Sequence, residues 1–348
     1  MHVAIIGGAS TIGTTVAYTL AGLAPSVDVT LVDINEGAAW GHATDISHAR
    51  YHFANAPGGR DHLGAAGFAS TDSAGVEDLP DLDPDLLVFN AAVPQPEDAT
   101  DRDARDAELD RNLPIVDDVS ETLSALSPTP LLVVTNPIDR FTYRFHDNLG
   151  WPRSYFMGYA LSEAARAADA LGDHLGVHPN DVHCPILGEH GEHMVPAFSR
   201  VTVDGEPVEV PADEHEAIRE YVLSIPFEIA EERGVAETSR WVTSAGITRV
   251  VRTMAADGAA EPVCLSTPLD GEYGYDGVAL KVPVTLDADG VAEIHEWDLS
   301  ADEMAGGGVR GRAGRRRRVR VSVSALSRRT RGRRPPARRR APASTSGA

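Results

Sequence analysis

The first thirteen residues constrain the fold more than any other stretch of the chain. A short apolar run, His2–Ile6, stops at Gly7 and continues as Gly8-Ala9-Ser10-Thr11-Ile12-Gly13, after which Thr14–Gly22 reads as a helix. Glycines at both ends of such a turn let the chain reverse tightly and let its backbone approach a bound group closely. The helix that follows points unpaired N–H groups and a partial positive charge at the same place, which suits a phosphate. A second strand, Val27–Val32, ends at Asp33, twenty residues beyond Gly13. A carboxylate there can accept hydrogen bonds from both hydroxyls of a ribose and would repel a 2′-phosphate, so the unit selects NAD over NADP. Ser10 stands where a third glycine is usual.

Further along, Asp85–Phe89 and Leu131–Val134 are continuous apolar runs of the kind buried on both faces of a parallel sheet, and helical patterns such as Asp106–Leu126 lie between them. Strands alternating with helices predict an α/β fold with a doubly wound, Rossmann-type parallel sheet. From about residue 141 the pattern changes. Leu161–Leu175 is an Ala-rich helix. Ala212–Glu232 is a longer one with Ile218, Val222, Ile225 and Ile229 on one face and Pro226 placed to bend it. Trp241–Met254 is a third helix. Val278–Leu286 and Val291–Trp297 flank Asp289-Gly290, a hairpin turn signal, and Trp297–Glu303 begins a final acidic helix. The expected organisation is a nucleotide-binding domain over 1–140, an α+β catalytic domain over 141–304 and a tail over 305–348.

Charge separates the tail from the rest. It holds fifteen arginines and no acid, which leaves 16 basic residues against 52 acidic ones in residues 1–304, a net charge of −36. The body has one lysine, Lys281. So acidic a surface repels itself at low ionic strength and is suited to molar salt, where the screening length falls to about 3 Å. That points to the cytoplasm of a salt-accumulating halophile. The tail is rich in Arg, Gly, Pro and Ser and is expected to be disordered. It reads either as a nucleic-acid-binding arm or as a shifted reading frame, and the abrupt switch in charge favours the second; the acidic body opposes nucleic-acid binding. No apolar stretch is long enough to span a membrane, no signal peptide is read at the N-terminus, and two cysteines, Cys184 and Cys264, fit a reducing compartment.

The chemistry concentrates in Ile186-Leu187-Gly188-Glu189-His190-Gly191-Glu192-His193-Met194-Val195-Pro196. With the glycine loop and Asp33, with Thr135-Asn136-Pro137-Ile138-Asp139, and with the closing segment from Glu272-Tyr273-Gly274 to Asp298-Leu299, this box resembles the NAD-dependent malate/lactate dehydrogenase family, in order over residues 1–303. The resemblance implies an oxidoreductase that moves a hydride between NAD(H) and a small 2-hydroxy or 2-oxo acid. His190 matches the family's catalytic histidine, a residue whose ordinary pKa near neutrality suits proton transfer. Its partner in the family is an aspartate three residues before an arginine, and the register here supplies Glu163 and Arg166, the latter a planar fork for the substrate carboxylate. Asn136 corresponds to the asparagine that orients substrate beside the nicotinamide. Asn112 completes the cofactor set with Gly7, Ser10, Gly13, Asp33 and Asn136.

The loop arginine that polarises the carbonyl stands seven residues before Asn112 in the family, which selects Arg105; counting from Ala91–Pro94 selects Arg102 instead. Gln95 falls where a lactate enzyme is neutral, whereas Arg102 could meet the second carboxylate of oxaloacetate, so malate is slightly favoured over lactate. The alternative is a degenerate paralogue that binds dinucleotide and catalyses poorly. Glu189-His190-x-Glu192-His193 lacks a third metal ligand at recognisable spacing, so no metal is expected. The resemblance also implies a homotetramer or homodimer.

Overall fold

A computed structural model describes residues 1–24, 26–54, 70–94, 104–234, 239–256 and 261–306, with side chains left aside at 50, 53–54, 104–107 and 304–306. Gln95, Arg102, the side chain of Arg105 and the arginine-rich tail therefore lie outside the described residues.

Six parallel strands form one half of the main sheet: β1 (His2–Ile6), β2 (Asp28–Val32), β3 (Thr71–Ala74), β4 (Leu86–Phe89), β5 (Leu131–Val133) and β6 (Phe156–Gly158), in the order β3-β2-β1-β4-β5-β6. This is the doubly wound order, in which the chain reverses direction across the sheet at β1 and β4 and opens a crevice at their carboxyl ends. The apolar runs read from the sequence are these strands because both faces are covered. On one side α1 (Thr11–Leu23) and α2 (Glu36–Ala54) bury Val16, Leu20, Ala39 and Ala43 with Val3, Ile5, Val29 and Leu31. On the other, α3 (Ala104–Leu123) and α4 (Ile138–Leu149) bury Val116, Leu123, Phe141 and Phe145 with Ala4, Ile6, Leu87 and Phe89. Sequence reasoning did not identify β3, whose Thr-Asp-Ser-Ala carries no apolar run, nor α2, whose apolar residues do not concentrate on one face.

After α5 (Leu161–Leu175) come the short strands β7 (Val182–His183), β8 (Ile186–Gly188), β9 (Met194–Pro196), β10 (Thr202–Val203) and β11 (Glu206–Pro207). The helices α6 (His215–Arg233) and α7 (Arg240–Ala255) follow, then β12 (Val263–Asp270), β13 (Asp276–Asp287), β14 (Gly290–Ile294) and the short α8 (Ala301–Gly306). The predicted hairpin is β13–β14, antiparallel, with Asp287 opposite Gly290. Strand β12 pairs with β6 at Ser266 and Gly158, β13 pairs with β12, and β8 with β9 extends the same sheet beyond β13. Of the apolar face read on α6, Ile218 and Val222 are buried, but Ile229 is 38% exposed. The final helix begins later than the sequence suggested. Glu303 holds it, accepting from Ser300 N at 2.7 Å and from Ser199 N and Oγ at 2.9 Å each, while Ser300 Oγ accepts from Glu303 N at 3.2 Å.

Candidate active site

The glycine loop sits at the crevice between β1 and β4. Gly7 has φ +82°, and a Cβ there would lie 2.7 Å from the Ala91 backbone; a Cβ on Gly13 would lie 2.6 Å from Gly7 O. The loop is thus packed against the ends of β2 and β4 as tightly as a bare backbone permits. Ser10 caps α1. Its Oγ accepts from Gly13 N at 3.0 Å and from Asn90 Nδ2 at 2.7 Å, so the serine replaces a glycine with a cap and a tie to β4. Asp33 accepts from Ala9 N at 3.0 Å and from Asn35 N at 2.9 Å. Each carboxylate oxygen keeps further lone-pair capacity, which ribose hydroxyls could use.

Asn112, buried on α3, accepts from Val93 N at 2.8 Å through Oδ1 and donates to Asn136 O at 3.4 Å. Its amide therefore fastens the segment after β4 to the segment after β5. Thr135 adds a second fastening, donating to Ala91 O at 3.0 Å. Asn136 Oδ1, by contrast, is buried with no hydrogen-bond partner among the described residues. A buried acceptor left open beside a glycine cradle is what a bound nicotinamide cofactor or its substrate would need, so the residues present fit NAD.

The second half of the site hangs on the β8–β9 hairpin. Gly188 has φ +82°, and a Cβ there would lie 2.6 Å from His193 O, so the turn that presents His190 closes only around glycine. Three elements fix that turn. From the first turn of α4, Asp139 accepts from His190 N at 2.6 Å. From the first turn of α5, Glu163 Oε1 accepts from Gly191 N at 2.8 Å and lies 2.9 Å from His190 Nδ1. From β13, Lys281 Nζ donates to Glu163 Oε2. The side chains of Lys281 and Glu163 are 0% and 3% exposed and that of His190 is 20% exposed.

Burial opposes ionisation of Glu163, yet the Lys281 ammonium and the His190 imidazole outweigh it and hold the carboxyl well below the usual carboxylate range. Burial pushes Asp139 the other way, upward, against a hydrogen bond from Ser266 and the charges of His190 and Lys281. Arg166 lies one turn after Glu163 on the same face of α5, half-buried and within reach of the Glu163 carboxylate. The structure thus brings His190, on the β8–β9 turn, together with Glu163 and Arg166 of α5, with Asn136 and the glycine loop at the carboxyl ends of β5 and β1. Arg105 stands in the first turn of α3. Sequence reasoning missed Asp139 and Lys281 as members of the site. The signal for Lys281 was available: one lysine in the whole chain, set in an apolar strand. Among the described residues no group of three His, Cys, Asp or Glu comes together that could hold a metal ion.

A parallel sheet of this order, a glycine cradle closed by an acid at the end of the second strand, and a histidine–carboxylate pair with an arginine one turn further along the carboxylate's helix define a nicotinamide-dependent dehydrogenase of small acids. The chain matches the NAD-binding domain of lactate/malate dehydrogenase over residues 1–158 and the α/β C-terminal domain of the same family over residues 163–306. It is 33% identical over 307 residues to a malate dehydrogenase of Halobacterium salinarum, which spans 86% of this chain and 93% of the relative. It is 28% identical over 310 residues to an L-lactate dehydrogenase of Thermoanaerobacter pseudethanolicus, spanning 86% and 92%. A lactate dehydrogenase from Cryptosporidium parvum, solved with lactic acid and nicotinamide adenine dinucleotide, superposes with a TM-score of 0.76 at 26% identity, covering 88% of this chain and 93% of that one. The malate dehydrogenase of the same organism gives the same TM-score and identity, with 88% and 94% covered. The chain belongs to the lactate/malate dehydrogenase family. It is an NAD-dependent oxidoreductase acting on 2-hydroxy acids.

Proposed function

We propose that the chain interconverts malate and oxaloacetate, with His190 as the proton donor and acceptor. The observation that carries the reading is the 2.9 Å contact between His190 Nδ1 and a carboxylate kept ionised by its surroundings. An anion at that nitrogen fixes the tautomer and stabilises the imidazolium from which a carbonyl oxygen would be protonated. Arg166 clamps the substrate's carboxylate with its planar fork. Arg105 polarises the carbonyl, and Arg102 meets the second carboxylate that distinguishes oxaloacetate from pyruvate. Bound NADH supplies the hydride. Gly7, Ser10, Gly13, Asp33 and Asn136 would hold the dinucleotide, and Asn112 shapes the floor of that site through the backbones of Val93 and Asn136. The malate dehydrogenases of salt-loving organisms among the relatives support both this substrate and the high-salt setting read from the charge.

The test is loss of NADH absorbance in molar KCl with oxaloacetate, pyruvate and a panel of other 2-oxo acids. Faster turnover of oxaloacetate is expected. Preference for pyruvate would move the assignment to the lactate side, and NADH binding with no turnover of any 2-oxo acid would identify a degenerate paralogue. A homodimer or homotetramer suits the exposure of Trp40 and Tyr51 on α2 and Trp241 on α7, each about two-thirds exposed. Light scattering in the same buffer would measure that state.

A further inference from the structure

We infer that Lys281 is a positioning residue for the proton-transferring pair: its ammonium holds the Glu163 carboxylate against His190 and offsets part of the negative charge the imidazole would otherwise meet. This deepens, and rests on, the dehydrogenase reading of the site.

The chain contains thirty arginines and one lysine. That lysine is among the most deeply buried large side chains, in a strand covered on both faces. Its backbone places it for the task. In the sheet Lys281 stands opposite Ser266 of β12 on one side and opposite Gly188 of β8 on the other, and Gly188 opens the turn that carries His190. Its only described hydrogen-bond acceptor is Glu163, and that carboxylate also receives the Gly191 N–H and faces the imidazole. Three donors from two elements therefore divide two oxygens among them. Glu163 has one more rotatable bond than the aspartate of the family pattern, so it needs more to hold it in one rotamer. Lys281 holds it from the sheet side while the hairpin holds it from the other.

The charge balance follows from the groups facing this cluster. Glu163 and Arg166 come from α5, Asp139 from α4, and the buried Cys264 thiol from β12; Tyr159 lies near Glu163 and Arg166, and Glu189, Glu192 and His193 share the hairpin. With Lys281 in place one acid, Glu163, is matched by an ammonium group. Without it, the whole Glu163 charge would act on His190 and favour the protonated ring. Reduction of a 2-oxo acid needs that protonated ring, so its alkaline limb would extend upward.

Two measurements test this on the full chain in molar KCl. In Lys281→Met, kcat for 2-oxo-acid reduction should fall at least tenfold. The alkaline limb of the kcat–pH profile should move up by about one pH unit, as expected for loss of one charge at this range in a protein interior, and KM for NADH should stay the same. A folded variant whose alkaline limb does not move overturns the inference. Because lysine occurs once, protein grown on 15N-lysine carries a single side-chain ammonium resonance, which needs no substitution. Its shift should inflect with pH together with the His190 ring protons and lose that inflection in Glu163→Gln. A resonance that stays flat while His190 titrates also overturns the inference. Wild-type protein that turns over no 2-oxo acid yet shows the shared inflection would sink the dehydrogenase reading and leave the Lys281 coupling intact.

Discussion

Glu163 and Lys281 form a pair in which each stabilises the other only while both are present. Replacing one leaves the other buried at 0–3% exposure without its counter-ion, a change that costs about 3–5 kcal/mol. Glu163→Gln should lose stability on that scale and lower kcat by about 10²–10⁴-fold, the usual weight of a general acid–base system. The double variant Glu163→Gln/Lys281→Met should recover most of the stability and none of the rate, since the amide cannot stabilise an imidazolium. Denaturant melts of the three variants in molar salt check the first statement and steady-state kinetics the second. Arg166→Lys should raise KM for the 2-oxo acid about tenfold or more while NADH affinity holds, because an ammonium cannot reproduce a two-pronged grip. The sequence motif named His190, Glu163 and Arg166 because their spacings survive in one line of text. Asp139 escaped as a site member although its motif was quoted, since nothing in that motif says its carboxylate reaches the backbone of residue 190.

At the level of elements, each half of the site depends on a turn that a side chain would break. Gly188→Ala would put a Cβ within 2.6 Å of His193 O at φ +82°, so turnover should collapse while NADH affinity, set by the other domain's loop, changes little; fluorescence titration with NADH beside the kinetic assay separates the two. Ser10→Ala removes the α1 cap and the Asn90 contact, and should cost about 1 kcal/mol with a weaker hold on NADH. The helix α5 reads from the sequence with the same ends the structure has, because alanine and an αL Gly176 at its C-terminus mark it locally. The strands β8 and β9 do not. At three residues each they have no periodicity to detect, and they exist because β13 lies alongside.

For the molecule as a whole, the acidic surface and a few buried acids set the response to solution conditions. Glu272 is held down to about 2, first by its hydrogen bonds from Arg153 and then, against the cost of burial, by the Asp270 N–H. A carboxyl depressed on folding contributes stability that is complete above its ordinary value of 4.5 and is lost as pH falls toward 2. Acid unfolding in molar salt should therefore steepen across that window, and Glu272→Gln should flatten it. Dilution of salt at neutral pH should lower the melting temperature, since the charge of −36 on residues 1–304 is then unscreened. Much of this molecule was written locally. The glycine loop with its distant acid, the apolar runs and the hairpin signal each report a short-range rule of backbone freedom or burial, and together they named the parallel sheet and the nucleotide crevice. What the linear order could not express is proximity between residues 139, 163, 190 and 281. Their electrostatic balance arises where two helix N-termini and two strands converge, and Coulomb interactions depend on distance in space, to which separation along the chain gives no guide.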